Sequence, residues 1–244
     1  MFRGMRSALI TAVHARWLPP GAGHGREPLA AGLRAVAGNR IFLLVALGYS
    51  TYLLAYNQLY FLMPDVLGEQ VGPDRAAQAV AVLMTGASVL IAAGQMLWVR
   101  LVGRLPLSAV FGLGFGLMAA GALTAALLSG GSEHAWPGME RPWWAGPAAF
   151  VLLLTLGQMT VTPHAPIAAA SLSGERHLGA HLGALASAGG MAAMAGTPML
   201  GLLSDVFGAG AAWAGLGGVS LLSAAGLALL LRDPAGTQSA SVGP

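Results

Sequence analysis

The chain has 244 residues, of which 56% are hydrophobic and only 9% are charged, whereas soluble proteins carry about 25% charged residues. Its twelve basic residues are all arginine, the formal net charge is +3 and cysteine is absent. This composition excludes an ordinary soluble domain and a disulfide framework. The arginines are spread along the chain instead of forming one basic patch, so no nucleic-acid partner is expected.

Charged residues divide the chain into six long uncharged runs, which are the predicted membrane spans. A hydrocarbon core about 30 Å thick needs roughly 20 apolar residues of helix, and each run is 24 to 33 residues long. The predicted spans lie at about 41–64, 76–99, 105–129, 146–172, 178–204 and 209–231. Because backbone polar groups in lipid must be paired internally, every span is expected to be helical. The sequence therefore predicts an all-α membrane protein with six transmembrane helices.

Arginine placement predicts the orientation of this bundle. Residues 1–39 are expected to form a cytoplasmic lead-in, residues 40–232 the bundle, and residues 233–244 a disordered cytoplasmic tail. With the sides alternated, ten of the twelve arginines fall on the side of the amino terminus. Cytoplasmic loops are enriched in Lys and Arg, so both termini are predicted to be inside. We expect a multi-pass protein of the cell (inner) membrane, with the lipid bilayer as its first partner.

The first span carries the densest group of aromatic and polar side chains. Tyr52, Tyr56 and Tyr60 fall near one helical stripe, and Asn57 and Gln58 lie beside it. Amides are costly in lipid, so they are expected to face protein or water. We predict that this group binds substrate. The alternative is that these side chains form interhelical hydrogen bonds that stabilise the bundle.

The fourth span has a second polar group, in its cytoplasmic half. Gln158 and His164 are predicted to contact substrate, and His164 could also carry a proton because histidine side chains commonly change charge near physiological pH. Alternatively, His164 bonds to backbone freed by Pro163 and Pro166, which are expected to bend or break the helix. Proline also marks the first span, which is expected to stop near Pro64.

Small residues predict where helices approach closely. Gly112 and Gly116 are four residues apart in the third span, and Gly179 and Gly183 repeat that spacing in the fifth. At the outer end of the fifth span, Asp205 is expected to accept hydrogen bonds from amides that begin the sixth helix.

Several motifs resemble the carboxy-terminal half of a major facilitator superfamily transporter. Arg40–Phe42, leading to Tyr56–Tyr60, is similar to the family's seventh helix. Arg100–Pro106 resembles the basic turn between helices eight and nine. Gly196–Gly201 resembles the small-residue and proline motif of antiporter helices, and it runs into Leu203–Gly208, which is similar to the end of helix eleven.

The resemblance covers about residues 28–232 and implies half of a twelve-helix transporter. It implies secondary active transport of a small organic molecule by alternating access, with efflux as in drug-efflux members. The partner would be a second six-helix half or a second copy of this chain, which is either a truncated transporter or a half-sized protein. The implied gating and topology residues are Arg100, Gly103, Arg104, Pro198 and Asp205. The family usually has an acid before the basic residue of the inner turn, where this chain has Arg100.

Two other classes of function are compatible with parts of the sequence. One is a membrane assembly subunit, in which the glycine-rich faces are oligomer interfaces. The other is an intramembrane hydrolase that uses Ser88 with His164, but the glycine expected after the serine is absent. The preferred interpretation is a transporter and not an enzyme, with no catalytic residue, metal site or cofactor. Because no Asp or Glu lies within the six runs, any proton coupling is expected to use the other half.

Overall fold

The computed structural model describes residues 29–129, 142–174 and 177–230. The predicted tail and most of the predicted lead-in lie outside these residues. Within them the chain forms helices and turns only, and no strand. In chain order the helices are α1 (Leu29–Gly38), α2 (Arg40–Asn57), α3 (Leu62–Val71), α4 (Pro73–Val102), α5 (Leu107–Ser129), α6 (Ala145–Ser173), α7 (Leu178–Phe207) and α8 (Ala209–Leu230).

Five of these helices, α4 to α8, are each long and apolar enough to cross a membrane. A sixth span results if Ala30–Gly38 and Arg40–Val71, which meet at an angle of 88°, are counted together. The all-α membrane fold predicted from the six uncharged runs is thereby confirmed for the described residues. The described segments are helical because lipid supplies no partner for backbone amides.

The first predicted span is interrupted before its predicted end. α2 stops at Asn57, and the next amides bond to carbonyls three residues back, as in a tightened last turn: Gln58 to Ala55, and Tyr60 to Asn57, each at 3.1 Å. The chain then restarts as α3 at Leu62. The expected stop near Pro64 was therefore wrong in its position and in its cause.

Pro64 instead belongs to the first turn of α3, where amide groups have no partner within the helix and a missing N–H costs nothing. The same reasoning explains Pro73, which opens α4. Between these helices only Gly72 is non-helical, with φ of 83°, a left-handed value that glycine adopts without a steric cost. The two helices consequently meet through a single residue.

The centre of the bundle is α5, which packs against α6 and α8 through an apolar core. Phe111, Phe115 and Phe150 are fully buried. The indole of Trp213, from α8, lies 4.5 Å from the ring of Phe150, measured between centroids. These large side chains fill the space between helices that carry few polar groups.

Close approach of α5 and α6 depends on Gly114 and Gly157. A Cβ atom added to Gly157 would lie 2.7 Å from the carbonyl oxygen of Gly114, a contact that backbone cannot relieve by rotating a side chain. The glycines predicted for close approach differ from one another. An added Cβ at Gly112 would lie 3.5 Å from the Cβ of Ala228 in α8, whereas Gly116, Gly179 and Gly183 have no described neighbour within 4 Å. The prediction of close helix approach was therefore wrong for these last three glycines only.

Two helices are mainly peripheral. In α4 only Ala76 and Val102 are buried, although the helix has 30 residues. In α7, also 30 residues long, four residues are buried. Large apolar side chains such as Met96 and Met194 are exposed along them. These faces are available to lipid or to another helical bundle.

Asn39 fixes the sharp turn between α1 and α2. Its Oδ1 accepts from the amide of Phe42 at 3.0 Å and caps α2, while its Nδ2 donates to the carbonyl of Leu172 at 2.8 Å. The ring of Phe42 packs edge-on against His181 of α7, 4.5 Å away between centroids. One asparagine thus ties the beginning of α2 to the end of α6.

Candidate functional site

A cavity of about 1020 Å³ lies where α2 is interrupted. It opens at the end of the bundle where α3 joins α4, opposite to the turn that contains Arg100 and Arg104. Its walls come from the interruption itself, from α3, from the first turns of α4 and from α7. The principal lining residues are Gln58, Tyr60, Phe61, Asp65, Glu69, Thr197, Pro198, Gly201 and Asp205.

Thr197 joins the two helices at the inner wall of this cavity. Its Oγ1 accepts a hydrogen bond from Asn57 Nδ2 at 2.9 Å and another from Gln58 Nε2 at 3.2 Å. Gln58 Nε2 also donates to the carbonyl of Leu54 at 2.9 Å. A hydroxyl oxygen has two acceptor lone pairs, and the two amide donors occupy both of those of Thr197. From the sequence, Asn57 and Gln58 were predicted either to bind substrate or to form interhelical hydrogen bonds. In the structure both side chains form interhelical hydrogen bonds.

Exposure separates the two amides. Gln58 is only 1% exposed, yet it contributes to the cavity wall, while Asn57 is half-buried and is not among the lining residues. Asn57 donates to the Thr197 hydroxyl without lining the cavity.

The tyrosines of α2 form a continuous ladder that ends at the cavity. Ring centroids of Tyr49 and Tyr52 are 5.5 Å apart, those of Tyr52 and Tyr56 6.0 Å, and those of Tyr56 and Tyr60 5.7 Å. The hydroxyl groups of Tyr56 and Tyr60 are 3.1 Å apart. Tyr52 is buried, whereas Tyr60 is 52% exposed and lines the cavity. The ladder offers aromatic surface from the interior to the cavity mouth.

The polar segment of α6 lies elsewhere in the bundle. Gln158 and His164 are half-buried and do not line the large cavity. His164 Nδ1 lies 2.7 Å from the carbonyl oxygen of Thr160, within its own helix. The Tyr52 side chain interacts with Thr162, so α2 meets this segment through the tyrosine ladder. The structure therefore brings Gln58 and Tyr60 together, but it keeps Gln158 and His164 apart from them.

Prolines do not break α6, which runs continuously through Pro163 and Pro166. Pro163 cannot donate to the carbonyl of Met159, and Gln95 of α4 donates to that oxygen instead, at 3.2 Å. Of the predicted bend or break, the break was wrong, and a bend stays a prediction. A neighbouring helix supplies the donor that Pro163 lacks. His164 contacts the carbonyl of Thr160, which is not one of the carbonyls that Pro163 and Pro166 leave without a donor.

Two further side chains reach α6 from α4 and were not predicted as site residues. Trp98 Nε1 donates to Thr160 Oγ1 at 2.8 Å, and Gln95 bonds as described. Both are half-buried. The sequence offers only a weak indication that Gln95 and Trp98 matter, because single polar side chains in a membrane helix commonly serve packing contacts.

The residues implied as gating and topology groups divide between the two ends. Arg100 is in the last turn of α4, Gly103 caps that helix, and Arg104 is exposed in the following turn. Pro198 and Asp205 lie in α7 at the opposite end and line the cavity. Asp205 lies within the last turn of α7, not in the connection to α8, and its side chain is exposed.

A family model described as Major Facilitator Superfamily matches residues 45–243. The chain belongs to the major facilitator superfamily. It is a multi-pass membrane transporter of that family and not an enzyme, so the resemblance deduced from the short motifs is confirmed. Ser88, the alternative nucleophile, is exposed and donates to the carbonyl of Met84 in its own helix at 2.9 Å. No curated protein and no solved structure matches the chain.

Proposed function

We propose that this major facilitator chain provides one half of an export pathway for a small amphipathic organic molecule, driven by alternating access. The observation that carries the proposal is the cavity of about 1020 Å³ at the interruption between α2 and α3. Transporter sites are typically built where membrane helices are discontinuous, because unwound backbone and polar side chains are tolerated only where they line a cavity.

Aromatic and amide groups support an amphipathic cargo. Tyr60 and Phe61 are both more than half exposed at the cavity, and Gln58 and Thr197 supply polar atoms at its inner wall. Ligand sites are commonly apolar and aromatic with a few polar groups that fix orientation. The substrate contacts we propose are Tyr60 and Gln58 first, then Tyr52 and Tyr56 along the ladder, with Asn57 positioning Thr197. Gln158 and His164 would act in a second contact region reached from the tyrosine ladder.

The exposed faces of α4 and α7 support a partner bundle. Two 30-residue helices that bury few of their residues within the chain leave long apolar surfaces, and both helices contribute residues to the cavity lining. We propose that a second six-helix half, or a second copy of this chain, closes the cavity and rocks against it. The membrane would be the cell membrane with both termini inside, as the arginine placement predicts. Proton coupling would then use a carboxylate of the partner.

Efflux of a panel of amphipathic dyes from cells that express the transport-competent assembly tests the proposal. Asn57→Ala and Gln58→Ala are expected to lower flux without lowering the amount of protein in the membrane. Gln70→Ala is the matched control, because Gln70 is an exposed amide of α3 that does not line the cavity. Normal flux in both cavity variants would refute the assignment of the site. A stable membrane complex without transport of any dye would favour the assembly-subunit alternative.

A further inference from the structure

A second cavity, of about 460 Å³, lies on the outside of the bundle and is unconnected with the proposed transport pathway. One wall is a single face of α4, formed by Arg75, Gln78, Ala79, Val82 and Leu83. The opposite wall is formed by Trp143 and Trp144, which precede α6. From this arrangement we infer that the cavity binds an anionic phospholipid, with its phosphate on Arg75 and an acyl chain against Val82 and Leu83.

The α4 wall is polar at one end and apolar at the other. Arg75 and Gln78 lie in its first two turns, and Val82 and Leu83 lie one to two turns further along. At a rise of 1.5 Å per residue, Arg75 and Leu83 are about 12 Å apart along the helix. A phospholipid has the same order of groups over that length, because its charged phosphate is followed by glycerol and then by hydrocarbon.

The tryptophans place the polar end of this cavity at the membrane–water boundary. Trp143 is 43% exposed and Trp144 is 52% exposed, so both indoles remain available to a ligand. Indole rings concentrate at the headgroup level, where one edge can stay hydrated. The cavity has the size of a ligand pocket, for which the usual range is about 300–1000 Å³.

Charge decides which lipid fits. Arg75 is exposed and is the single charged residue among the described residues that line this cavity. Its guanidinium can bond a phosphate at two oxygens. Gln78 lies one turn away on the same face and can bond to the hydroxyl groups of a glycerol headgroup. The lining therefore matches a phospholipid with net negative charge, such as phosphatidylglycerol, better than a zwitterionic one with a bulky cation.

Native mass spectrometry of the purified full-length chain tests this assignment. The protein in detergent is offered equal amounts of phosphatidylglycerol and phosphatidylcholine with the same acyl chains. The wild-type protein is expected to retain phosphatidylglycerol preferentially, and Arg75→Gln is expected to lower that retention about fivefold, the effect of one arginine at a lipid surface. Arg75→Lys should lie between the two, because it keeps the charge but loses the bidentate geometry.

Arg104→Gln is the matched control, because Arg104 is also exposed but lies in the turn at the far end of α4, away from the tryptophans. It should retain as much phosphatidylglycerol as the wild-type protein. Equal retention by wild type and Arg75→Gln would overturn the inference, as would an equal loss in Arg104→Gln or equal retention of both lipids by the wild-type protein. Identical melting of the wild-type protein and the three variants checks that folding is unchanged.

Discussion

The Thr197 hydroxyl is predicted to hold α2 and α7 together at the cavity wall. Thr197→Val keeps the shape of the side chain but removes the acceptor of two hydrogen bonds, from Asn57 and Gln58. Gln58 is 1% exposed and keeps its bond to Leu54, so one of its two N–H groups is left buried without a partner. An unsatisfied buried donor costs about 1–3 kcal/mol, and an interhelical bond in a membrane bundle contributes about 0.6 kcal/mol on average.

The expected destabilisation of Thr197→Val is therefore about 2–3 kcal/mol. For a chain of this length that corresponds to a fall in melting temperature of about 4–12 °C. The assay is heating of the detergent-purified protein followed by size-exclusion chromatography of the fraction that stays monodisperse. Thr197→Ser should restore most of the stability, because its hydroxyl accepts in the same place.

Thr85→Val provides the comparison that makes this prediction refutable. Thr85 is exposed on α4, and its hydroxyl donates to the carbonyl of Ala81 in the same helix at 2.7 Å, without contact to another helix. Its loss should change stability little. If Thr197→Val melts at the same temperature as Thr85→Val, the threonine does not join α2 to α7 and the reasoning fails.

Two further predictions use the same melting assay. Gly157→Ala should lower the melting temperature by about 2–12 °C, because the added methyl group meets the carbonyl oxygen of Gly114 at 2.7 Å and overpacking costs about 1–3 kcal/mol. Gly190→Ala, with no neighbour within 4 Å, should not be destabilised, and equal melting of the two variants would contradict the close contact. Gln95→Leu should cost about 0.6–1.7 kcal/mol, because it deprives the Met159 carbonyl of its donor; unchanged melting would mean that this oxygen finds another partner.

The class of fold was readable from the sequence because it depends on composition and run length. Six uncharged runs of at least 24 residues leave little choice but membrane helices. The tyrosine ladder was also readable, since residues three and four apart share a helix face. Both properties are local, and no knowledge of the packing was needed to predict them.

The interruption of α2 was not readable, because Leu59 and Phe61 within it are as apolar as the helix around them. Pro64, which was expected to end the first helix, lies in the first turn of α3 instead. Similarly, the bond between Asn57 and Thr197 joins residues 140 positions apart. No spacing rule relates such residues, since only the packing of α2 on α7 brings them together.

Glycine spacing was equally ambiguous. Gly112, Gly114 and Gly116 all lie in one helix, and the four-residue rule selected the first and third. The residue in closest backbone contact with α6 is Gly114, because its face is the one directed at Gly157. The periodicity of a glycine pair indicates a small face, but the direction of that face depends on the neighbouring helices.

The interruption of α2 and the proline of α7 have a joint mechanical consequence. Pro198 cannot donate to the carbonyl of Met194, so α7 is weakest beside Thr197, the residue that bonds to the broken end of α2. The two weakened positions are thus joined by a single hydroxyl. Bending at one of them must be accompanied by bending at the other, or it breaks the hydrogen bonds of Thr197.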